Sequence, residues 1–191
     1  AFEGESAFVG LAVSALREGG QMWGVPLSPK CVALFVNDDL VKKTPVDLEG
    51  IAEMTGSFPP GVFTLVYDPR TYTHAAFFGA FGGEVLTKDD QWGFIGPGAE
   101  ASLALARDLV VKGAVPEAAE YNLLKELFKA GKAAFVISGP WLQAELGTKG
   151  LRYHVEVLPR IRAAGQPMRP WVTVESAMLT KEGAVKPEAR A

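Results

Sequence analysis

Gly131-Lys132-Ala133-Ala134-Phe135-Val136-Ile137-Ser138-Gly139-Pro140-Trp141 reads as a short apolar strand that delivers a tryptophan onto the start of a helix. Ala133 to Ile137 has the length and β-branched content of a buried strand, and Gly139-Pro140 ends it sharply. Pro140 fits the first helical position, where a missing N–H costs nothing. Trp141 then stands at the N-terminus of the segment Leu142 to Leu146, beside backbone donors that can meet ligand oxygens. An indole offers a broad apolar face and one N–H, which suits the C–H face and hydroxyls of a pyranose. The alternative reading is a core tryptophan behind a tight turn.

Working outward, short apolar runs alternate with amphipathic stretches, which predicts an α/β fold throughout. Upstream, Phe8 to Leu16 reads as a helix with Phe8, Leu11, Ala12 and Ala15 on one face, ended by Gly19-Gly20. Gln21 to Val25 and Val32 to Val36 read as strands around a kinked Pro26-Leu27-Ser28-Pro29. Asp47 to Met54 is a short helix, Val62 to Tyr67 a strand stopped by Asp68-Pro69, and Thr73 to Phe81 an apolar, buried helix closed by Gly82-Gly83. Ala99 to Val111 turns Ala101, Leu105 and Leu109 inward, and Asn122 to Ala130 does the same with Leu123, Leu124, Leu127 and Phe128. Downstream of Trp141, Tyr153 to Leu158 alternates as a strand with Tyr153, Val155 and Val157 on one face. Trp171 to Thr180 holds the last apolar strand, and Ala184 to Ala191 is charged and reads as an unfinished element.

Composition narrows the chemistry. With 191 residues and 48% apolar side chains the chain can bury a substantial core. A formal charge of −3 with both signs interspersed gives no basic stripe for nucleic acid and no polybasic run for a membrane surface. One cysteine, Cys31, makes an internal disulfide and a cysteine-built metal site impossible. No apolar run is long enough to cross a bilayer, and no signal peptide is visible from Ala1 onward. Gly96-Pro97-Gly98-Ala99-Glu100-Ala101 fits the dinucleotide pattern but follows polar, turn-like Asp89-Asp90-Gln91-Trp92-Gly93 instead of a strand, so a helix start after a loop is expected. His74 and His154 stand in no metal-ligand spacing, His154 is expected to face water, and no G-x-S-x-G elbow is present. No catalytic residue, metal or cofactor is assigned. A sugar-cleaving enzyme needs carboxylates beside its aromatic platforms, and only Glu175 stands near the strongest aromatic positions in sequence.

With these segments placed, the chain resembles the solute-binding proteins of carbohydrate ABC transporters, most closely the maltose/maltodextrin-binding group. The resemblance runs in order through Gly20 to Ser28, Ala33 to Leu40, Phe78 to Gly83, Asp108 to Gly113, Phe128 to Trp141, Val157-Leu158-Pro159, Gly165-Gln166-Pro167 and Trp171 to Val174. It implies a periplasmic-binding-protein-like lobe, a mixed β-sheet flanked by helices, incomplete beside the two-lobe family fold. In those terms residues 1–29 are a flanking segment and hinge crossing, 30–170 a second-lobe α/β domain, and 171–191 a returning hinge strand with part of the first lobe.

Non-catalytic binding of maltose or maltodextrin follows, for delivery to a membrane ABC permease from a periplasmic or cell-surface location, with any signal peptide outside this chain. The alternative is a fragment of a glycoside-processing enzyme. The resemblance places Trp141 at the family's stacking tryptophan and Tyr121 and Tyr72 at site tyrosines. Arg70 and Lys30 stand where acids are usual, which changes hydrogen-bond polarity, because both can only donate. Tyr67, inside a strand, reads as core. Alone, the chain is expected to bind sugar feebly and to self-associate as a homo-oligomer.

Overall fold

The computed structural model describes residues 5–87, 89, 91–147 and 150–186. The expected unfinished element at 184–191 lies largely outside them, as does Asp90. The chain divides into two compact units, Ala1–Cys31 with Val172–Ala191, and Val32–Trp171.

The smaller unit opens with helix α1 (Gly10–Ala15), followed by a hairpin of β1 (Arg17–Glu18) and β2 (Gln21–Met22). Gly19 and Gly20 both take positive φ in its turn, as a tight two-residue hairpin requires. α1 buries Ala12 and Val13, and Leu16 just past its end, while Leu11 and Ala15 are exposed. The helix begins only at Gly10, so the face counted from Phe8 is rotated. β3 (Val25–Lys30) then runs straight through the expected kink and pairs antiparallel with the strand Thr173–Ala177. Two features admit its prolines: this sheet has two strands among the described residues, and the pairing slips by one residue between Glu175 and Ser176, opposite Ser28 and Pro26. A proline, having no N–H, belongs at such edges and bulges.

The larger unit is a three-layer sandwich. Along the chain come β4 (Ala33–Asn37), α2 (Leu48–Glu53), β5 (Phe63–Tyr67), α3 (Thr71–Ala80), α4 (Pro97–Val111), α5 (Tyr121–Lys129), β6 (Ala133–Ser138), α6 (Pro140–Leu146), β7 (Tyr153–Glu156), β8 (Arg160–Ile161) and β9 (Gln166–Pro167). The strand Thr173–Ala177 of the other unit is thus β10. The main sheet has the order β5-β6-β4-β7, with β5 and β6 parallel and the other pairings antiparallel. β6 is buried along its whole length, as its unbroken apolar run demands.

Alternation along the strands sends Leu34, Val36, Leu65, Tyr67, Phe135 and Ile137 to one face, against Leu48, Ile51, Ala76, Phe77 and Leu109. Phe35, Val66 and Val136 go to the other, against Leu124, Phe128, Leu142 and Leu146. Tyr67 is core, stacked 5.0 Å from Phe77, and burial pushes its phenol up to about 12. β7 departs from the expected alternation. Tyr153 packs on Phe35 and Phe128, but Val155, on this edge strand, and Val157, just past its end, are exposed. His154 is exposed, as expected.

Candidate functional site

The parallel pair β5 and β6 ends side by side, Tyr67 opposite Ile137, and the chain leaves both strands into helix starts. From β5 it passes through Asp68-Pro69-Arg70 into α3, and from β6 through Gly139 into α6, with Pro140 in the first turn. α5 also begins at this end, at Tyr121. The crevice beyond the carboxyl ends of strands is where α/β sheets gather ligand-binding side chains. Here it is a cleft of about 420 Å³ lined by Asp68, Arg70, Thr71, Tyr72, Thr73, Tyr121, Leu124, Ile137, Ser138 and Trp141.

Four of the five residues expected from sequence therefore share one cavity: Trp141, Tyr121, Tyr72 and Arg70. The fifth, Lys30, belongs to the smaller unit, at the end of β3, where its ammonium pairs with the Glu175 carboxylate on β10. Trp141 lies 6.0 Å from Tyr72, which in turn meets the edge of Trp171 at 6.4 Å. The Trp141 ring folds back over Gly139, so a Cβ built on that glycine would overlap the indole. Gly139 is a spatial requirement of the tryptophan's pose.

The polar chemistry is set by two carboxylates. Asp68, at the end of β5, is buried, while the Arg70 side chain is 78% exposed. The Arg70 Nε donates to both Asp68 oxygens at 2.9 and 2.8 Å, its Nη2 donates to Oδ2, and its backbone N–H adds a bond of 3.1 Å. Burial alone would raise this carboxyl. The Arg70 guanidinium and the backbone donors of Arg70 and Tyr121 outweigh that and hold it below the usual carboxylate range. Arg70 is thus neutralised by Asp68 and tied to the wall of the cleft.

On the rim, the Tyr121 hydroxyl donates to Glu145 Oε1 at 2.7 Å, and Lys125 Nζ donates to Oε2 at 2.8 Å. Burial, then the Glu145 bond, keeps the Tyr121 phenol protonated, and the Lys125 and Tyr121 donors hold Glu145 below its ordinary range. The Lys125 ammonium also sits 5.9 Å above the Tyr121 ring. With its proton committed to Glu145, Tyr121 offers a ligand its ring and an acceptor oxygen.

Sequence reading missed Asp68, taken only as a strand stop, along with Trp171 and Glu145. It also undercounted acids near the aromatics, since Asp68 and Glu145 join them in space. An acid directly after an apolar strand was the available signal for Asp68. Glu145 stands 24 residues from Tyr121 and had none.

The profile of the bacterial extracellular solute-binding proteins matches residues 11–184. The chain belongs to this family. Among its relatives, a galactooligosaccharide-binding protein of Bacillus subtilis (strain 168) is 26% identical over 188 residues, covering 90% of this chain and 44% of its own. A maltotriose-binding protein of Pyrococcus abyssi (strain GE5 / Orsay) is 24% identical over 167 residues, covering 85% and 37%. The chain thus spans less than half the length of these relatives. In fold it is similar to a cyclo/maltodextrin-binding protein crystallised with maltotetraose: TM-score 0.78 at 24% identity, over 88% of this chain and 46% of that one. The mixed α/β lobe of the solute-binding family is the fold of this solute-binding protein.

Proposed function

We propose that this chain carries one sugar-binding wall of a carbohydrate solute-binding protein, holding a neutral oligosaccharide of the maltodextrin type without cleaving it. The observation that carries the reading is the cleft's inventory. Aromatic rings stand at the starts of α3, α5 and α6, the floor is the apolar pair Leu124 and Ile137, and the polar lining is made of hydroxyls and one neutralised ion pair. Aromatic faces cover the C–H faces of sugar rings, while Thr71, Thr73, Ser138 and the carboxylate oxygens exchange hydrogen bonds with hydroxyls. The names of the relatives point the same way. In this reading Val32–Trp171 serves as the second lobe, residues 1–31 and 172–191 supply hinge crossings, and the protein works outside the cytoplasm with a membrane ABC permease.

The glycosidase alternative has less support. Hydrolysis calls for two carboxylates across the scissile bond, and among the described residues lining this cleft Asp68 is the one carboxylate, held ionised by Arg70.

The test is an NMR titration of the chain with maltotriose, which is expected to bind weakly, in fast exchange, with shifts clustered on Thr71, Tyr121 and Trp141. Trp141→Ala is expected to weaken binding by about 1–3 kcal/mol with the fold unchanged. Shifts that ignore Trp141→Ala, or shortening of the sugar, would refute the proposal.

A further inference from the structure

Thr71 stands at the edge of the cleft. That residue also lines a second hollow, of about 280 Å³, between α3 and α4. On α3 the stripe Thr71, His74 and Phe78 faces it with helical spacing, and on α4 Ser102 and Leu103 do the same. Ala75 and Ala99 leave the space open where larger side chains would have closed the two helices together. A third hollow, of about 270 Å³, follows along the same helices and shares Phe78 and Ala99 with the second. From Thr71 to Phe78 α3 rises about 10 Å, so the path is longer than one pyranose ring.

The chemistry along it is aromatic and small-polar, with Glu84 in the third hollow the one charged lining residue among the described residues. The residues lining the middle hollow include no Asp, Glu, Lys or Arg, which argues against an ionic ligand. Its polar groups are a neutral pair, His74 Nε2 and Ser102 Oγ at 3.2 Å, and burial lowers the tendency of the imidazole to take a second proton. One wall is a row of stacked rings: Phe78 and Phe94 at 5.6 Å, then Phe94 and Trp92 at 6.3 Å. Trp92, which ends the row, is 70% exposed. A row of rings that ends in an exposed indole is a platform on which a neutral chain of linked sugar rings can lie.

We propose that the ligand is a linear oligosaccharide longer than the Trp141 cleft can hold, whose chain passes Thr71 and continues along the α3–α4 groove against Phe94 and Trp92. This rests on the reading of the cleft given above. The experiment measures affinity of the 191-residue chain for two graded series, maltodextrins and galactooligosaccharides, from disaccharide to heptasaccharide, with wild type, Trp141→Ala and the double variant Phe94→Ala/Trp92→Ala. Circular dichroism checks that each variant folds.

In at least one series the longest sugar is expected to bind about tenfold tighter than the trisaccharide, and the double variant to erase that gain while leaving the trisaccharide unchanged. If trisaccharide binding depends on Trp141 but affinity stops rising with length, or the gain survives the double variant, this inference fails and the cleft assignment stands. If no Trp141-dependent binding of any sugar is found, the cleft assignment fails and takes the groove with it.

Discussion

Gly139 sits at φ −100° and ψ −179°, an extended conformation open to any residue, so its missing side chain answers to space. The Trp141 indole occupies the place a Cβ would need, and the ring is the part that can move. Gly139→Ala is therefore expected to swing the indole out of its pose while β6 and α6 stay folded. Sugar affinity should fall as it does for Trp141→Ala, with a shift in the tryptophan emission and a thermal midpoint near that of wild type. A variant that binds normally would show that the pose over Gly139 is dispensable. The same economy holds at Asp68, where one buried carboxylate closes the turn after β5, caps the start of α5 through the Tyr121 N–H and fixes Arg70. That triple role explains why Arg70, which reads in sequence as a donor replacing an acid, does not make the cleft cationic: the acid is still there, two residues earlier.

At the scale of elements, the legible parts were those whose local pattern matched their final surroundings. β4, β5 and β6 are mostly apolar runs and end up covered on both faces; α5 carries its apolar residues at helical spacing, although Leu123 remains partly exposed. The illegible parts depend on neighbours distant in sequence. β3 holds two prolines that read as a kink, and only its position in a two-stranded sheet with a bulge admits them. β7 reads as alternating but lies at an edge of the sheet, where Val155 stays exposed. Its own fastening is polar: His154, opposite Val36 on β4, meets Asp38 at 2.6 Å and Glu156 at 2.9 Å, and Glu156 also accepts from Thr44.

Hydrogen bonds to Glu156 and then Asp38 raise the His154 pKa above 6.5 against a small burial penalty. A raised folded value contributes stability that is fully present below the unfolded value and is lost as pH rises through the folded one. Lys42 and Lys43 border the same surface hollow and oppose the positive charge. NMR titration is expected to place His154 above an ordinary histidine, with Glu156→Gln bringing it down and amide exchange in β7 quickening above the folded pKa. An ordinary midpoint in wild type would contradict the assignment.

Of the candidate cleft, Trp141, Tyr121 and Tyr72 were legible because each is an aromatic at the start of a helix, a position visible in local sequence. Asp68 left a local signal that was read only as a strand stop; Glu145, Trp171 and the α3–α4 groove depend on packing between segments far apart in sequence. For the whole molecule, the fact with most consequence is that the chain matches less than half the length of its sugar-binding relatives. The smaller unit leaves Trp23, Leu27, Met178 and Leu179 exposed, and its two-stranded sheet has no further strand beside β10 among the described residues. β3 is a poor template for pairing because Pro26 and Pro29 lack N–H groups; β10, Thr173–Ala177, has no proline to protect it. Apolar side chains beside an open strand edge favour pairing with a second copy. Light scattering on the 191-residue chain is expected to show a mass that rises with concentration towards a dimer, and Leu27→Lys with Ser176→Pro to return it to a monomer. Ser176 faces Pro26 across the bulge, so the substitution removes a donor from β10 where its pairing is already irregular. A wild-type chain that stays monomeric at high concentration would overturn this account of the exposed edge.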